Sequence, residues 1–203
     1  MIMPDQVSRL CCRIKRLGNK SPHSGFREAT MKSLYYFISS LPVLKWGANP
    51  PMTVGEFLDS SRSYLSDEHY SILCAVSILP QFEFENSSSA DRWTDMEKFL
   101  RRRLSLIRAK NKGVNLEHRI SQEKGYYSDY EKIAQTAMAL ENPLEKEKTL
   151  DYSRWRAVEN LFSLHLFDFD VLVAYKLKLE LLSKYASVNK DKARENFEKI
   201  TEN

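Results

Sequence analysis

The stretch WTDMEKFLRRRLSLIRAKNKG, residues 93–113, decides how the chain is read. Trp93, Met96, Leu100, Leu104 and Ile107 recur at three- and four-residue steps, and Gly113 closes the run. That spacing predicts one amphipathic helix of about five or six turns. Glu97 precedes Arg101 by four residues, the spacing of an ordinary exposed ion pair. A helix this long and this continuous belongs in a helical bundle, packed lengthwise against neighbours.

Signals on either side repeat the pattern. Thr53-x-x-Glu56 is a capping box, in which hydroxyl and carboxylate satisfy each other's unpaired backbone donors, and it opens a helix from about 53 to 64. Ser66 with Asp67 and Glu68 places an N-cap and two carboxylates at the start of a second helix, expected to run to Leu79 and stop at Pro80. Ser128-x-x-Glu131 is another capping box, and its helix is expected to end near Asn142. Pro143 is placed as the first residue of the next helix, apolar to about Leu166. The last long helix begins near Asp168 or Asp170, with Leu172, Tyr175, Leu179 and Leu182 at heptad-like spacing, and a short amphipathic piece, Ala193 to Ile200, closes the chain. The run LYYFISSLPVL at residues 34–44 is aromatic and uncharged, followed by Asn49-Pro50-Pro51, and it is expected to be a short buried irregular or extended segment; periodicity alone also admits a short helix. The fold class is therefore all-α: an antiparallel helical bundle of one or two packed lobes, spanning residues 31–203.

The composition supports this. The chain has 203 residues, 42% hydrophobic and 29% charged, enough apolar surface for a core and a charge balance that does not drive it apart. Only 6 glycines and 7 prolines punctuate it, so the segments between turns are long. The net charge of +4 sits unevenly. Residues 1–30 hold six basic side chains (Arg9, Arg13, Lys15, Arg16, Lys20, Arg27) against Asp5 and Glu28, which reads as a disordered basic tail ahead of Met31 or, alternatively, as a basic anchoring arm. Residues 31–97 carry a balance of −5 and residues 98–124 one of +7. Such a polarised body suits docking against charged protein surfaces.

The longest uncharged stretches, Ser33–Leu44 and Tyr70–Phe82, are shorter than the roughly 18–20 residues a membrane-crossing helix needs. Cys11, Cys12 and Cys74 form neither a CxxC motif nor a paired framework. With no apolar h-region after the basic start, these features lead us to expect a cytoplasmic protein. No GxSxG, HExxH, Walker or GxGxxG pattern occurs, and no cofactor or catalytic set is expected. His23, His69, His118 and His165 are scattered, and His69 and Cys74 point about 140° apart on one helix. Asp168-Phe169-Asp170 is an acidic pair that a helix start explains without a metal. The candidate interface is Arg101, Arg102, Arg103, Arg108 and Lys112, in a basic run that also holds Lys110. It suits an acidic protein partner, or alternatively a nucleic-acid backbone tracked by the tail and the 98–124 segment.

Two blocks of sequence carry a family likeness. Tyr35-Tyr36-Phe37-Ile38-Ser39-Ser40-Leu41-Pro42, followed by Pro50-Pro51-Met52-Thr53, resembles the opening of a family of uncharacterised proteins encoded among bacterial V-type ATPase subunits. Asn142-Pro143-Leu144-Glu145, Leu150-Asp151, Arg154-Trp155, Phe167 to Asp170 and Val173 to Leu179 resemble its second half in the same order. The resemblance implies a stand-in for the central-stalk cap of V/A-type ATPases, the helical funnel that seats the rotating shaft on the membrane proteolipid ring. It implies a non-catalytic coupling part without cofactor, whose partners are the shaft subunits and the ring, located in the cytoplasm at the inner membrane through the complex.

Overall fold

The computed structural model describes residues 34–79, 88–114 and 128–186, and every regular element among them is helical. The 1–30 tail and the closing 193–200 helix lie outside the described residues. Helix α1 covers residues 34–40, α2 Val54–Ser61, α3 Asp67–Ala75, α4 Ser88–Asn111, α5 Ser128–Ala139, α6 Pro143–Leu161 and α7 Phe169–Ala186. The all-α bundle expected from the sequence is the observed architecture.

The expected irregular or extended segment at 34–44 is corrected. Leu34, Phe37, Ile38 and Leu41 are spaced to bring one stripe onto the core, and the chain winds as α1 until residue 40. Only the residues around Pro42 are non-helical, since proline disfavours the α conformation of the residue before it. The segment is also buried on one side only: Phe37 stacks between Phe57 and Tyr64, while Tyr36 is 73% exposed.

Capping chemistry sets α2 as expected. Thr53 Oγ1 accepts from the Glu56 amide at 3.2 Å, and Glu56 Oε2 accepts from the Thr53 amide at 2.8 Å. The α-helix ends at Ser61 and tightens into a 3₁₀ turn, Arg62–Tyr64. Ser66 caps α3 through the His69 amide, but α3 stops at Ala75 and not at Leu79. The reason is tertiary. The carbonyls of Cys74 and Val76 accept from the buried Lys176 ammonium of α7, Ser77 O accepts from Trp93 Nε1, and Ile78 N donates to Glu180 Oε2 at 3.0 Å. A cation at a helix C-terminus is favoured by the free carbonyls and the helix dipole, and here it replaces continued winding.

Helix α4 follows the expected stripe, with Trp93, Leu100 and Leu104 buried, and ends in a 6→1 bond from the Val114 amide to Ala109 O across Gly113 at φ 71°. That left-handed conformation is accessible to glycine at no steric cost. Asn142 caps α6 with Pro143 at its first position, as expected. Helix α6 ends at Leu161, where the expectation ran to Leu166.

Helix α7 is the central stave. Leu172, Val173, Leu177, Leu179, Leu181 and Leu182 are all buried, and they surround its axis, so the heptad-like positions are only part of what it buries. It runs alongside α3 in the same direction, with His69 stacked on Phe169 and Val76 meeting Lys176. It runs antiparallel to α6, with Lys178 on Glu159 and Lys184 on Asp151. The apolar core divides. One cluster joins α1, α2, α3 and the N-terminal part of α4 to α6 and α7; a second gathers Leu100 and Leu104 of α4 with Ala134, Ala137 and Leu150. A third, small one holds Trp155, Leu181 and Leu182 under Trp46.

Candidate functional site

Where the first two clusters meet, three helices place charge in the interior. Glu97 follows Trp93 and Met96 on α4 and precedes Leu100, so helical phase points its carboxylate inward with them, and it is 2% exposed. The expectation of an ordinary exposed Glu97–Arg101 pair is therefore corrected. Arg101 Nε does bond Glu97 Oε1 at 2.9 Å, but it approaches from the solvent side of a carboxylate already held from within.

The inner partner is Arg154 of α6. Its Nε donates to Glu97 Oε2 at 3.0 Å and its Nη2 to Glu97 Oε1 at 2.8 Å, the bidentate fork that guanidinium and carboxylate geometry favours. Arg154 Nη1 donates to Asp151 Oδ1 at 2.7 Å, one turn back on the same helix. The other oxygen of Asp151, a residue with no exposed surface, accepts from Lys184 Nζ and Tyr185 Oη of α7, both at 2.7 Å. Lys184 also donates to Glu147. Three carboxylates and three cations thus close a neutral network that ties α4, α6 and α7 at one level.

The electrostatics follow from burial and pairing. Burial alone would push the Arg154 guanidinium down, but the hydrogen bonds and charge of Glu97, then of Asp151, outweigh it and hold it above its ordinary value. Lys184 repeats the balance: burial lowers it, and Asp151 and Glu147 raise it further. The Tyr185 hydroxyl is pushed up first by burial and then by donating to Asp151. Each charged group of the network is therefore matched by a counter-charge, an arrangement that fixes geometry.

The basic run faces solvent only in part. Arg103 Nε meets Glu131 of α5 at 2.8 Å and its guanidinium lies over the Phe99 ring. Arg103 thus ties α4 to α5, while Arg101 pairs with Glu97 within α4. Arg101, Arg102, Arg108, Lys110 and Lys112 are exposed, and Arg103 is half-buried. Helical phase puts Arg101, Arg108 and Lys112 within about 40° of one another, with Arg102 roughly 100° to one side. So the structure divides the run: Arg103 is engaged with α5, Arg101 is engaged with the buried Glu97 from the solvent side, and Arg102, Arg108, Lys110 and Lys112 are exposed toward the far end of α4.

His165 has company that the scattered histidines did not suggest. Its Nδ1 lies 2.5 Å from Asp168 Oδ2 and 3.5 Å from Asp170 Oδ2, and Ser89 Oγ donates to Asp170. These three side chains are grouped closely enough to hold a cation in principle. Their contacts with each other, with Ser89 and with the start of α7 already account for the grouping. His69 and Cys74 do not converge: His69 stacks on Phe169, and the Cys74 carbonyl accepts from Lys176. Among the described residues no helix is long and apolar enough to cross a membrane.

Sequence reasoning missed the network because it read each charge by its local spacing. A usable signal was present: Asp151 and Arg154 stand inside the apolar stripe of Leu150, Trp155 and Val158, where an unpaired charge would be prohibitive. No curated protein and no solved structure matches the chain. Residues 127–203, which supply α5 to α7 and with them Asp151, Arg154 and Lys184, are similar to a family described as protein of unknown function (DUF2764).

Proposed function

We propose that the chain is a non-catalytic subunit or accessory protein of a V-type ATPase, coupling the central shaft to the membrane proteolipid ring. Two ordered blocks of resemblance support the reading, and the second lies largely within the residues similar to the DUF2764 family. The observation that carries it is the division of the basic run: Arg102, Arg108 and Lys112 project from a helix clamped to its neighbours through Glu97–Arg154 and Arg103–Glu131. A coupling part must transmit load between charged partners without deforming, and cations on an immobilised helix suit that task. The partners are the shaft subunits and the ring; the protein sits at the cytoplasmic side of the inner membrane through them.

The test is affinity purification of the tagged chain from its own cells in mild detergent, beside the charge-reversed variant Arg102→Glu, Arg108→Glu, Lys112→Glu. Arg101 and Arg103 stay intact because reversing them would set carboxylates against Glu97 and Glu131 and disturb the fold itself. The expected result is shaft and ring subunits in fixed proportion with the parent chain and their loss with the variant. Recovery of nucleic acid without any ATPase subunit would overturn the proposal in favour of a nucleic-acid-binding module, and retention of all subunits by the variant would remove this face from the interface.

A further inference from the structure

Opposite the basic end of α4 the bundle presents an aromatic face. Tyr35 and Tyr36 of α1 are 47% and 73% exposed, and the Tyr35 ring packs at 4.4 Å against Phe167, itself 48% exposed, in the turn between α6 and α7. Leu164 and Leu166 of the same turn are 93% and 70% exposed. Tyr36 meets Tyr35 and Tyr35 meets Phe167, and Leu164 and Leu166 lie in the same turn as Phe167, so large exposed apolar side chains from two distant parts of the sequence come to one end of the bundle.

The surroundings of the patch are acidic. Helices α3, α4 and α7 begin at this end, as the His69–Phe169 stack and the Ser89–Asp170 hydrogen bond show. Their first turns and the adjoining cap position bring Asp67, Glu68, Asp91, Asp168 and Asp170 together. Against these stand Arg62, held over the Tyr70 ring, Arg92, and His165, which lies against Asp168 and Asp170. An occupant should therefore combine an apolar stripe with positive charge.

One segment of this chain has both features and is tethered beside the patch. Met3, Val7, Leu10, Ile14 and Leu17 recur at three- and four-residue steps, and Arg9, Arg13, Arg16 and Lys20 recur at the same steps between them. That is the pattern of a basic amphipathic element. The chain enters the described fold at Leu34, adjacent to Tyr35. Leu17 stands 17 residues before Leu34, and a chain of that length reaches at most roughly 55–60 Å, enough to cross the patch. Tethering at this range gives an effective concentration on the order of millimolar, so even a weak intrinsic affinity suffices for docking.

We infer that residues 3–20 dock in cis on the Tyr35, Tyr36, Leu164, Leu166 and Phe167 face, their cations toward the acidic helix starts. The basic tail is then an intramolecular cover, releasable to a competing partner.

Cys11 and Cys12 lie within the segment and serve as native probes in the full chain. Leu166→Cys puts a thiol in the patch, and Leu144→Cys puts one at the exposed start of α6, at the other end of that helix. Mild oxidation followed by digestion and mass mapping should link position 166 to Cys11 or Cys12 at least about tenfold faster than position 144, independently of protein concentration. Adding Leu10→Asp and Ile14→Asp, which leave the described fold untouched, should remove that advantage. Equal rates at 166 and 144, or a link at 166 that forms only between chains, would overturn docking in cis. Unchanged linking in the Leu10→Asp, Ile14→Asp background would overturn the apolar stripe as its basis.

Discussion

Arg154→Met is the most informative single perturbation of this bundle. Arg154 makes three hydrogen bonds of 2.7–3.0 Å to two carboxylates, Glu97 and Asp151, that are almost fully withdrawn from water. Removing one partner of a buried pair costs about 3–5 kcal/mol, because the remaining charge stays buried without compensation. Here each carboxylate keeps a second cation: Glu97 keeps Arg101, whose side chain is 41% exposed, and Asp151 keeps Lys184. The expected loss therefore lies near the lower limit, about 3 kcal/mol, or roughly 6–12 °C in Tm for a domain of this size. Glu97→Gln alone leaves Arg154 with Asp151 and should cost about 2 kcal/mol. Combining the two removes one charge of each sign, so the double variant should lose about 3 kcal/mol and not the additive sum, a coupling near 2 kcal/mol. Urea unfolding at pH 7 followed by circular dichroism measures all three. A loss under about 1 kcal/mol for Arg154→Met, or additivity in the cycle, would refute the view that the network is a mutually compensated unit.

Other perturbations probe the remaining links. Lys176→Met removes the cation that terminates α3 and should cost about 2 kcal/mol, with hydrogen exchange accelerated selectively at residues 74–78. Thr53→Ala should cost about 1 kcal/mol through the lost cap. The backbone and side-chain hydrogen bonds of Thr53 hold the Glu56 carboxyl below its ordinary value, so its contribution is present above pH 4.5 and fades as pH falls through the lowered value; Thr53→Ala should flatten that acid limb in a pH series of Tm. At the alkaline side Lys184 and Tyr185 titrate above their ordinary values of 10.5 and 10.0, so their contribution is complete below pH 10 and drains away as pH rises further. The double variant Lys184→Met, Tyr185→Phe should show a shallower alkaline loss, measured by the same series above pH 9.

The parts of the fold that were legible from sequence are those decided locally. The Thr53–Glu56 box, the Ser66 cap and Asn142-Pro143 each depend on side chains within three residues of the backbone groups they satisfy, and each stands where its spacing places it. The end of α3 was not legible, because it is set by Lys176 and Glu180 about a hundred residues away. The run 34–44 was ambiguous for a different reason: its tyrosines make it apolar on all sides, and only the exposure of Tyr35 and Tyr36 reveals which residues form the buried stripe. At the candidate site, the exposed cations Arg102, Arg108 and Lys112 were read from composition, while the division of labour within Arg101–Arg103 depends on Glu97 and Glu131, whose burial and reach no spacing rule supplies.

The charge network also answers why α4 holds one register on a bundle whose apolar contacts are interrupted. The main cluster meets α4 at Ala90 and Trp93, and the second meets it at Leu100 and Leu104, with Glu97 between. Apolar stripes alone tolerate a slip of one helical turn, about 5.4 Å, since leucine packs on leucine in either position. Such a slip would pull Glu97 beyond hydrogen-bonding reach of Arg154, leaving Glu97 with the half-exposed Arg101 alone and Arg154 with Asp151 alone. That cost, about 2–3 kcal/mol, exceeds what a repacked apolar contact recovers. Register specificity is the best-attested service of buried ionic groups, and in this fold it locates the outward cations of α4 relative to α6 and α7. Replacing Glu97, Asp151 and Arg154 together by Gln, Asn and Met should therefore leave the bundle folded while allowing α4 to sample more than one position against α6. Paired spin labels at Ser105 and Lys146 would report this as a distance distribution broadened relative to the parent chain. A distribution as narrow as the parent's would show that apolar packing alone sets the register.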